Sequence, residues 1–214
     1  SLGMPPVFWG DFWPSLYRLF EEVRRHSTVA ISGEAADEVF AGYRWFHDPK
    51  ALQADTFPWL IDATQKVFGS RHLLNQKFLE KLNLPGFVRE SYAQALAEVP
   101  RLSGESDQQH RIREISYLNL TRFVRALLDR KDRMSMAHGL ELRVPFCDHR
   151  LVQYAFNIPW EMKAFDGREK SILRAAAKDL LPTAIIERKK NPYPSTQDPS
   201  YEREPVSYTH LRAH

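Results

Sequence analysis

The sequence predicts an α/β protein, predominantly helical with one or two parallel strands, and three observations carry that reading. From Ser15 onward, Leu16, Leu19, Phe20 and Val23 fall on one helical face and lead into Thr28–Ile31, a short apolar, partly β-branched run that reads as a buried strand. Helix-then-strand order suits a parallel unit. Ser32-Gly33 then breaks the strand, Glu34, Asp37 and Glu38 follow, and Val39, Phe40, Tyr43 and Phe46 recur at helical spacing, so a helix is expected from near Ala35 to Phe46. Finally, Ile115, Leu118, Leu120, Phe123, Val124, Leu127 and Leu128 surround most of a helix over Ile112–Leu128, which belongs in the middle of a bundle.

The remaining elements follow in order. Residues 1–14 are rich in Pro, Gly and aromatics and read as irregular; the start without Met suggests a piece of something longer. Pro58 fits the first turn of a helix carrying Leu60, Ile61, Val67 and Phe68. A helix after Pro85-Gly86 would turn Val88, Tyr92, Ala95, Leu96 and Val99 inward, and Arg101–His110 reads as a solvated loop. The stretch after Leu128 mixes charges with Met, Leu and Val, and Val144-Pro145-Phe146 makes a rigid turn. Asp132, Arg133, Glu141, Arg143 and Asp148 are expected as paired, partly buried ions. They would lock helices and turn together, or form a floor beneath the acidic turn. Leu151, Val152, Ala155 and Phe156 form a short helix ended by Pro159. Asp166-Gly167 is a turn, and Arg168-Glu169-Lys170 opens a helix with Ile172, Leu173, Ala176 and Leu180 inward.

With 214 residues, 43% hydrophobic and 27% charged, the chain can bury one sizeable core. No apolar run approaches membrane-spanning length and no signal peptide opens the chain, so neither membrane insertion nor secretion is expected. The net charge of +3 is spread among acidic residues, with no stripe or module that would bind nucleic acid. A single cysteine, Cys147, excludes an internal disulfide framework, suits a reducing cytoplasm, and reads as a packed thiol.

Two places invite a chemical reading. Strand, tight turn, acidic cluster and helix start form the layout of a nucleotide site in open α/β sheets, where three carboxylates tolerate phosphate only with a divalent cation between them. The same acidic residues also suit a helix dipole with no ligand at all, and the residues alone leave both readings open. Lys170, in the first turn of its helix, opposes the dipole, a local conflict of the kind that gathers at functional sites, although surface lysines are commonplace.

Taken together, these stretches resemble a known family. SGEAADEVFAGYRWF is similar to the SGEGxDExFGGYxxF segment of the asparagine synthetase family. DRMSMAHGLELRVPFCDHRLV resembles its DRxSMAxxLExRxPFLDxxLV segment, and GREKSILRAAAKDLLP with RKKNPYP resembles its GxxKxxLRxAxxxxLP…RKKxxF ending. Three ordered motifs cover about residues 10 to 200. The resemblance implies an adenine-nucleotide α-hydrolase-like (ATP pyrophosphatase) domain over residues 1–203, followed by an unrelated, disordered tail at 204–214. It implies ATP and Mg²⁺, aspartate activated as β-aspartyl-AMP, and ammonia from glutamine supplied by an N-terminal glutaminase domain, with a second copy of the chain as a candidate partner. Carried over by position, Ser32 and Gly33 contact the nucleotide, Glu34 lies at the substrate and intermediate, Asp37 is a Mg²⁺ ligand, and Lys170 stabilises negative charge at the reacting centre.

The sequence also departs from the pattern. Ala35 and Ala41 stand where the family has Gly, so the turn must tolerate two added methyl groups, and Cys147 replaces Leu. No SGGxDS pyrophosphate loop and no N-terminal catalytic Cys are present. Related readings are a β-lactam synthetase or lasso-peptide cyclase, or a non-catalytic helical scaffold. Glu34 favours asparagine synthesis over the β-lactam reaction, and the trio Glu34, Asp37 and Lys170 argues against a scaffold.

Overall fold

The chain is described by a computed structural model over residues 13–61 and 75–190. Helix α1 (Trp13–His26) ends in Arg24, Arg25 and His26, cations that suit the negative end of a helix dipole, and one turn later the chain enters strand β1 (Val29–Ile31). Helix α2 (Ala36–Val39) follows, then a 3₁₀ turn at Arg44–Phe46 and α3 (Pro49–Gln53). After α4 (Gln76–Leu82), α5 (Leu84–Ala97) and α6 (Asp107–Leu118), a π-helical segment, Asn119–Phe123, leads into α7 (Val124–Met136). Strand β2 (Glu141–Arg143), α8 (His149–Phe156), α9 (Trp160–Lys163), α10 (Ser171–Ala176) and α11 (Thr183–Ile186) complete the described chain.

The strands pair in parallel, Val29 opposite Glu141, Ala30 opposite Leu142 and Ile31 opposite Arg143. The ladder runs past both ends: the Glu141 N–H donates to Thr28 O (2.9 Å), and the Ser32 N–H donates to Arg143 O (2.8 Å). Parallel strands need a long crossover, and here all of α2 to α7 supplies it. One face of the pair packs Ala30 and Leu142 on buried Leu16 and Phe20 from α1 and on Met134 and Leu140. The strand is not buried on both faces as expected. Ile31 is 79% exposed, because successive side chains alternate and only one face of β1 meets that cluster.

Other boundaries also differ. The helix expected through Phe46 stops at Phe40, since Ala41 has a left-handed backbone (φ 55°) and Gly42 N–H closes onto Asp37 O at 2.7 Å. Part of the Arg101–His110 loop is helical: Ser106 and Gln109 form a reciprocal capping box that starts α6 at Asp107. The apolar Ile112–Leu128 helix exists but carries the π segment, with Ile115, Leu118 and Asn119 fully buried. Leu180 is 80% exposed rather than inward, because α10 ends at Ala176. Of the ions expected to pair, Arg133 and Asp148 are partly buried and Glu141 and Arg143 exposed, and their pairs are short-range: Arg133 with Asp129, Arg143 with Glu141 and Arg150 with Asp148. Water screens such short-range surface pairs, so they add little net stability. Cys147 is a partly buried thiol against the cluster of Ala35, Val39, Phe40, Val124 and Ala155, and burial pushes its pKa up. Pro58–Leu60 form a 3₁₀ turn, while the rest of the helix expected there, with Val67 and Phe68, and the 204–214 tail lie outside the described residues.

Leu140 is fully buried in the cluster that ties α1 to the strand pair. Leu140→Ala should lower unfolding stability by about 2–5 kcal/mol, read from urea denaturation.

Candidate functional site

The turn after β1 is positioned by the ladder. With its N–H bound to Arg143 O, Ser32 turns its hydroxyl toward the chain, where Oγ accepts from the Glu34 N–H (3.4 Å) and from Lys131 Nζ (3.3 Å). Lys131 also forms an ion pair with the Glu34 carboxylate, and both side chains are largely buried. Gly33 is exposed, and a Cβ built on it would meet no atom within 4 Å, so internal packing does not require glycine there.

Ala35 then takes a left-handed backbone (φ 71°) with its methyl buried in the core, and α2 begins. For a non-glycine residue this conformation costs about 1–2 kcal/mol, and Ala41 repeats it five residues later. Between these two corners sit Asp37 and Glu38. Gly42 is required here: a Cβ would fall 1.8 Å from Asp37 Oδ1.

Asp37 is the meeting point of distant cations. Lys190 Nζ lies 2.8 Å and Lys170 Nζ 3.1 Å from Oδ1; Lys190 also donates to Gly42 O (2.9 Å) and sits 4.2 Å from the centre of the Tyr43 ring. Burial pushes the Asp37 carboxyl up, but Lys190 and Lys170 outweigh it and hold the pKa below the usual carboxylate value. Among the described residues no cation pairs with Glu38. It is 2% exposed and accepts a hydrogen bond from Tyr43 OH (2.7 Å). Burial raises its pKa to about 7, the Tyr43 bond opposes that rise, and the Glu34 and Asp37 charges add to it.

Lys170 does not lie in the first turn of α10. It is the residue before the helix, in a left-handed conformation (φ 57°) that non-glycine residues rarely adopt. The strain is imposed by the turn in front of it. Asp166 accepts from the Arg168 N–H (3.0 Å), from Arg168 Nε (2.8 Å) and from the hydroxyl of fully buried Ser171, while Ser171 Oγ also donates to Arg168 O (2.8 Å). Arg174 pairs with Glu169 (2.6 Å) just before α10 and joins α10 to the segment carrying Lys190 through Ile186 O and Arg188 O (3.0 Å).

Asp37, Lys170 and Lys190 thus line one open groove of about 400 Å³. Ser32 and Glu34 stand one turn earlier, grouped around Lys131, and do not line that groove. Sequence reasoning missed Lys131, although a signal existed: it lies on the face of α7 defined by buried Leu127, Met134 and Ser135, where a lysine needs a partner. In the sequence Lys190 stands only within RKKNPYP, the stretch that resembles the family's ending.

Among the described residues no group of three or more His, Cys, Asp or Glu side chains could hold a metal ion. Mg²⁺ needs less, since it keeps several waters and takes one or two carboxylates plus phosphate. Both lysines on Asp37 contact Oδ1, so Oδ2 fits that role.

The family profile named asparagine synthase matches residues 5–210. The chain belongs to the asparagine synthase family. It is 47% identical over 191 residues to asparagine synthetase [glutamine-hydrolyzing] 3 of Bacillus subtilis, an alignment covering 89% of this chain and 30% of that protein. Asparagine synthetase [glutamine-hydrolyzing] 1 of the same organism is 30% identical over 205 residues, covering 84% and 32%. The rat asparagine synthetase [glutamine-hydrolyzing] is 49% identical over 67 residues, covering 30% and 12%. The chain therefore spans about a third of the length of its bacterial relatives. Within the family motif, the two positions with Ala in place of Gly are the two left-handed corners of the acidic turn.

Glu38 makes stability depend on pH. Its pKa is near 4.5 when unfolded and about 7 when folded, so between those values the folded state holds more protons and stability falls as pH rises. Glu38→Gln, which keeps an oxygen for Tyr43, should remove this slope. It should raise stability above pH 7 by up to about 3 kcal/mol, the span at 1.36 kcal/mol per pH unit, measured by urea unfolding across pH 4–8.

Proposed function

We propose that this chain is part of an enzyme that amidates L-aspartate to L-asparagine at the expense of ATP, through β-aspartyl-AMP and with ammonia derived from glutamine. The observation that carries the reading is the contact between Lys170 and Asp37 at 3.1 Å, made by a lysine in a strained backbone far along the chain. A scaffold gains nothing from that strain, whereas a reaction on phosphate gains a fixed positive charge.

In this reading the aspartate side-chain carboxylate attacks the α-phosphorus of ATP, and pyrophosphate leaves. Ammonia then attacks the acyl carbon, loses a proton, and AMP leaves. Ser32 and Gly33 bind the nucleotide: the hydroxyl is held by Lys131 and the main-chain N–H by Arg143 O, so the turn is rigid before anything binds. Glu34 lies at the substrate and intermediate, and its pairing with Lys131 holds it oriented. Asp37, whose Oδ2 neither lysine contacts, would hold Mg²⁺, and the ion would supply positive charge for the pyrophosphate. Lys170 and Lys190 supply compact positive charge where negative charge accumulates. The pyrophosphate loop and the glutaminase that releases ammonia belong to further parts of the protein. An ATP pyrophosphatase fold over 1–203, a cytoplasmic location and a homodimer accompany the proposal. No helix among the described residues is long and apolar enough to cross a membrane.

In the full-length protein Lys170→Ala should lower kcat by about 10²–10³-fold with a smaller effect on KM for ATP. Lys170→Arg should rescue only in part, because a planar fork does not replace a point charge. Pyrophosphate release and glutamate formation, assayed separately, check this: pyrophosphate at the wild-type rate in Lys170→Ala would return Lys170 to an ordinary lysine.

A further inference from the structure

Away from the acidic turn, a cavity of about 310 Å³ opens between α6, the loop before it and the α8–α9 corner. It shares no lining residue with the Asp37 groove. Its walls include Lys163, Arg113, Glu105, Ser103, Phe156 and Trp160. Lys163, the last residue of α9, is 5% exposed, yet no carboxylate among the described residues pairs with it. Arg113 stands close enough for the two charges to repel.

The acids nearby are already engaged. Glu105 accepts from Arg113 Nε (2.7 Å) and from the Leu102 N–H (3.3 Å), and contacts His110 Nδ1 (3.1 Å). Glu114 accepts from Arg111 Nη1 (2.7 Å) and lies 3.4 Å from His110 Nε2. Arg113 uses only Nε on Glu105, and its guanidinium lies 5.4 Å from the centre of the Phe156 ring. Among the charged residues that line this cavity, Arg113 and Lys163 against Glu105 leave one positive charge in excess.

A buried ammonium without a counter-ion, beside a second cation, is costly to keep in a folded protein. Burial, followed by the Arg113 charge, lowers its pKa to about 8, so it remains mostly protonated at neutral pH. An anion seated between the two cations would offset both burial and repulsion. We propose that this cavity is a second ligand site, separate from the reacting centre, which binds a small carboxylate or phosphate anion through Lys163 and Arg113. The ring of Phe156 and the indole of Trp160 supply the apolar wall.

Calorimetric titration of the nucleotide-free, full-length protein with sodium phosphate and, separately, sodium succinate tests this. Saturable binding of either anion is expected, and which one binds identifies the source of the charge, phosphoryl or carboxylate. Lys163→Met should weaken binding by about tenfold or more, the loss of one charge-assisted hydrogen bond, while Lys163→Arg retains most of it. Lys170→Ala should leave it unchanged, which separates this site from the nucleotide groove. In anion-free buffer Lys163→Met should raise Tm, since it removes an uncompensated buried charge. Should that variant fail to fold, acetylation of wild-type Lys163, mapped by mass spectrometry, should slow at saturating anion. No saturable heat with either anion would overturn the proposal. So would unchanged affinity in Lys163→Met, binding lost only in Lys170→Ala, or acetylation insensitive to anion.

Discussion

Everything at the acidic turn hangs on the parallel pairing of three residues with three others. The ladder between Val29–Ile31 and Glu141–Arg143 joins segments separated by most of the helical chain, and its last rung, Ser32 N–H to Arg143 O, fixes where the turn begins. A shift of register would move Ser32 off its carbonyl and present the opposite face of β1 to Leu16 and Phe20, so core packing and site geometry enforce the same alignment. The hydrogen bonds alone are too few to hold so short a pair. The buried Met134–Leu140 cluster beneath it supplies the energy, and the ladder supplies the direction.

Three non-glycine residues near the site, Ala35, Ala41 and Lys170, keep left-handed backbones, and each is held by its surroundings. The two alanine methyls are buried in separate hydrophobic clusters, so packing there offsets some of the steric cost. Lys170 is held instead by hydrogen bonds on either side of it, from the Ser171 hydroxyl to Asp166 and Arg168 O and from Arg174 Nε to Glu169 O. Two different means thus position an acid and a base against each other.

Much of this was legible in the sequence because it is periodic or punctuated. The apolar faces of α1 and α7, the strand before Ser32-Gly33 and the turn at Asp166-Gly167 are local patterns, and local physics produces them. The failures share a different cause. Nothing in Phe40-Ala41 announces a break, since alanine is an excellent helix former that here adopts φ 55° for tertiary reasons. The start of α6 lies among polar residues that resemble a loop until Ser106 and Gln109 are read as a box. Arg133, Arg143 and Arg150 each paired with a near neighbour in the chain, a choice set by side-chain reach rather than pattern. The link from Lys131 to Glu34 spans nearly a hundred positions, and only the folded crossover brings its ends together.

The π segment at Asn119–Phe123 has a bearing on register. A π turn takes in one residue more than an α turn, so everything after it is rotated by about 100° relative to an uninterrupted helix. Without that extra residue, Leu127, Met134 and Lys131 would swing together around the axis of α7. The lysine would then leave the side of the bundle where β1 ends. A local overcount of one residue, buried among Ile115 and Leu118, therefore acts as the indexing device that aims a charge about two turns downstream.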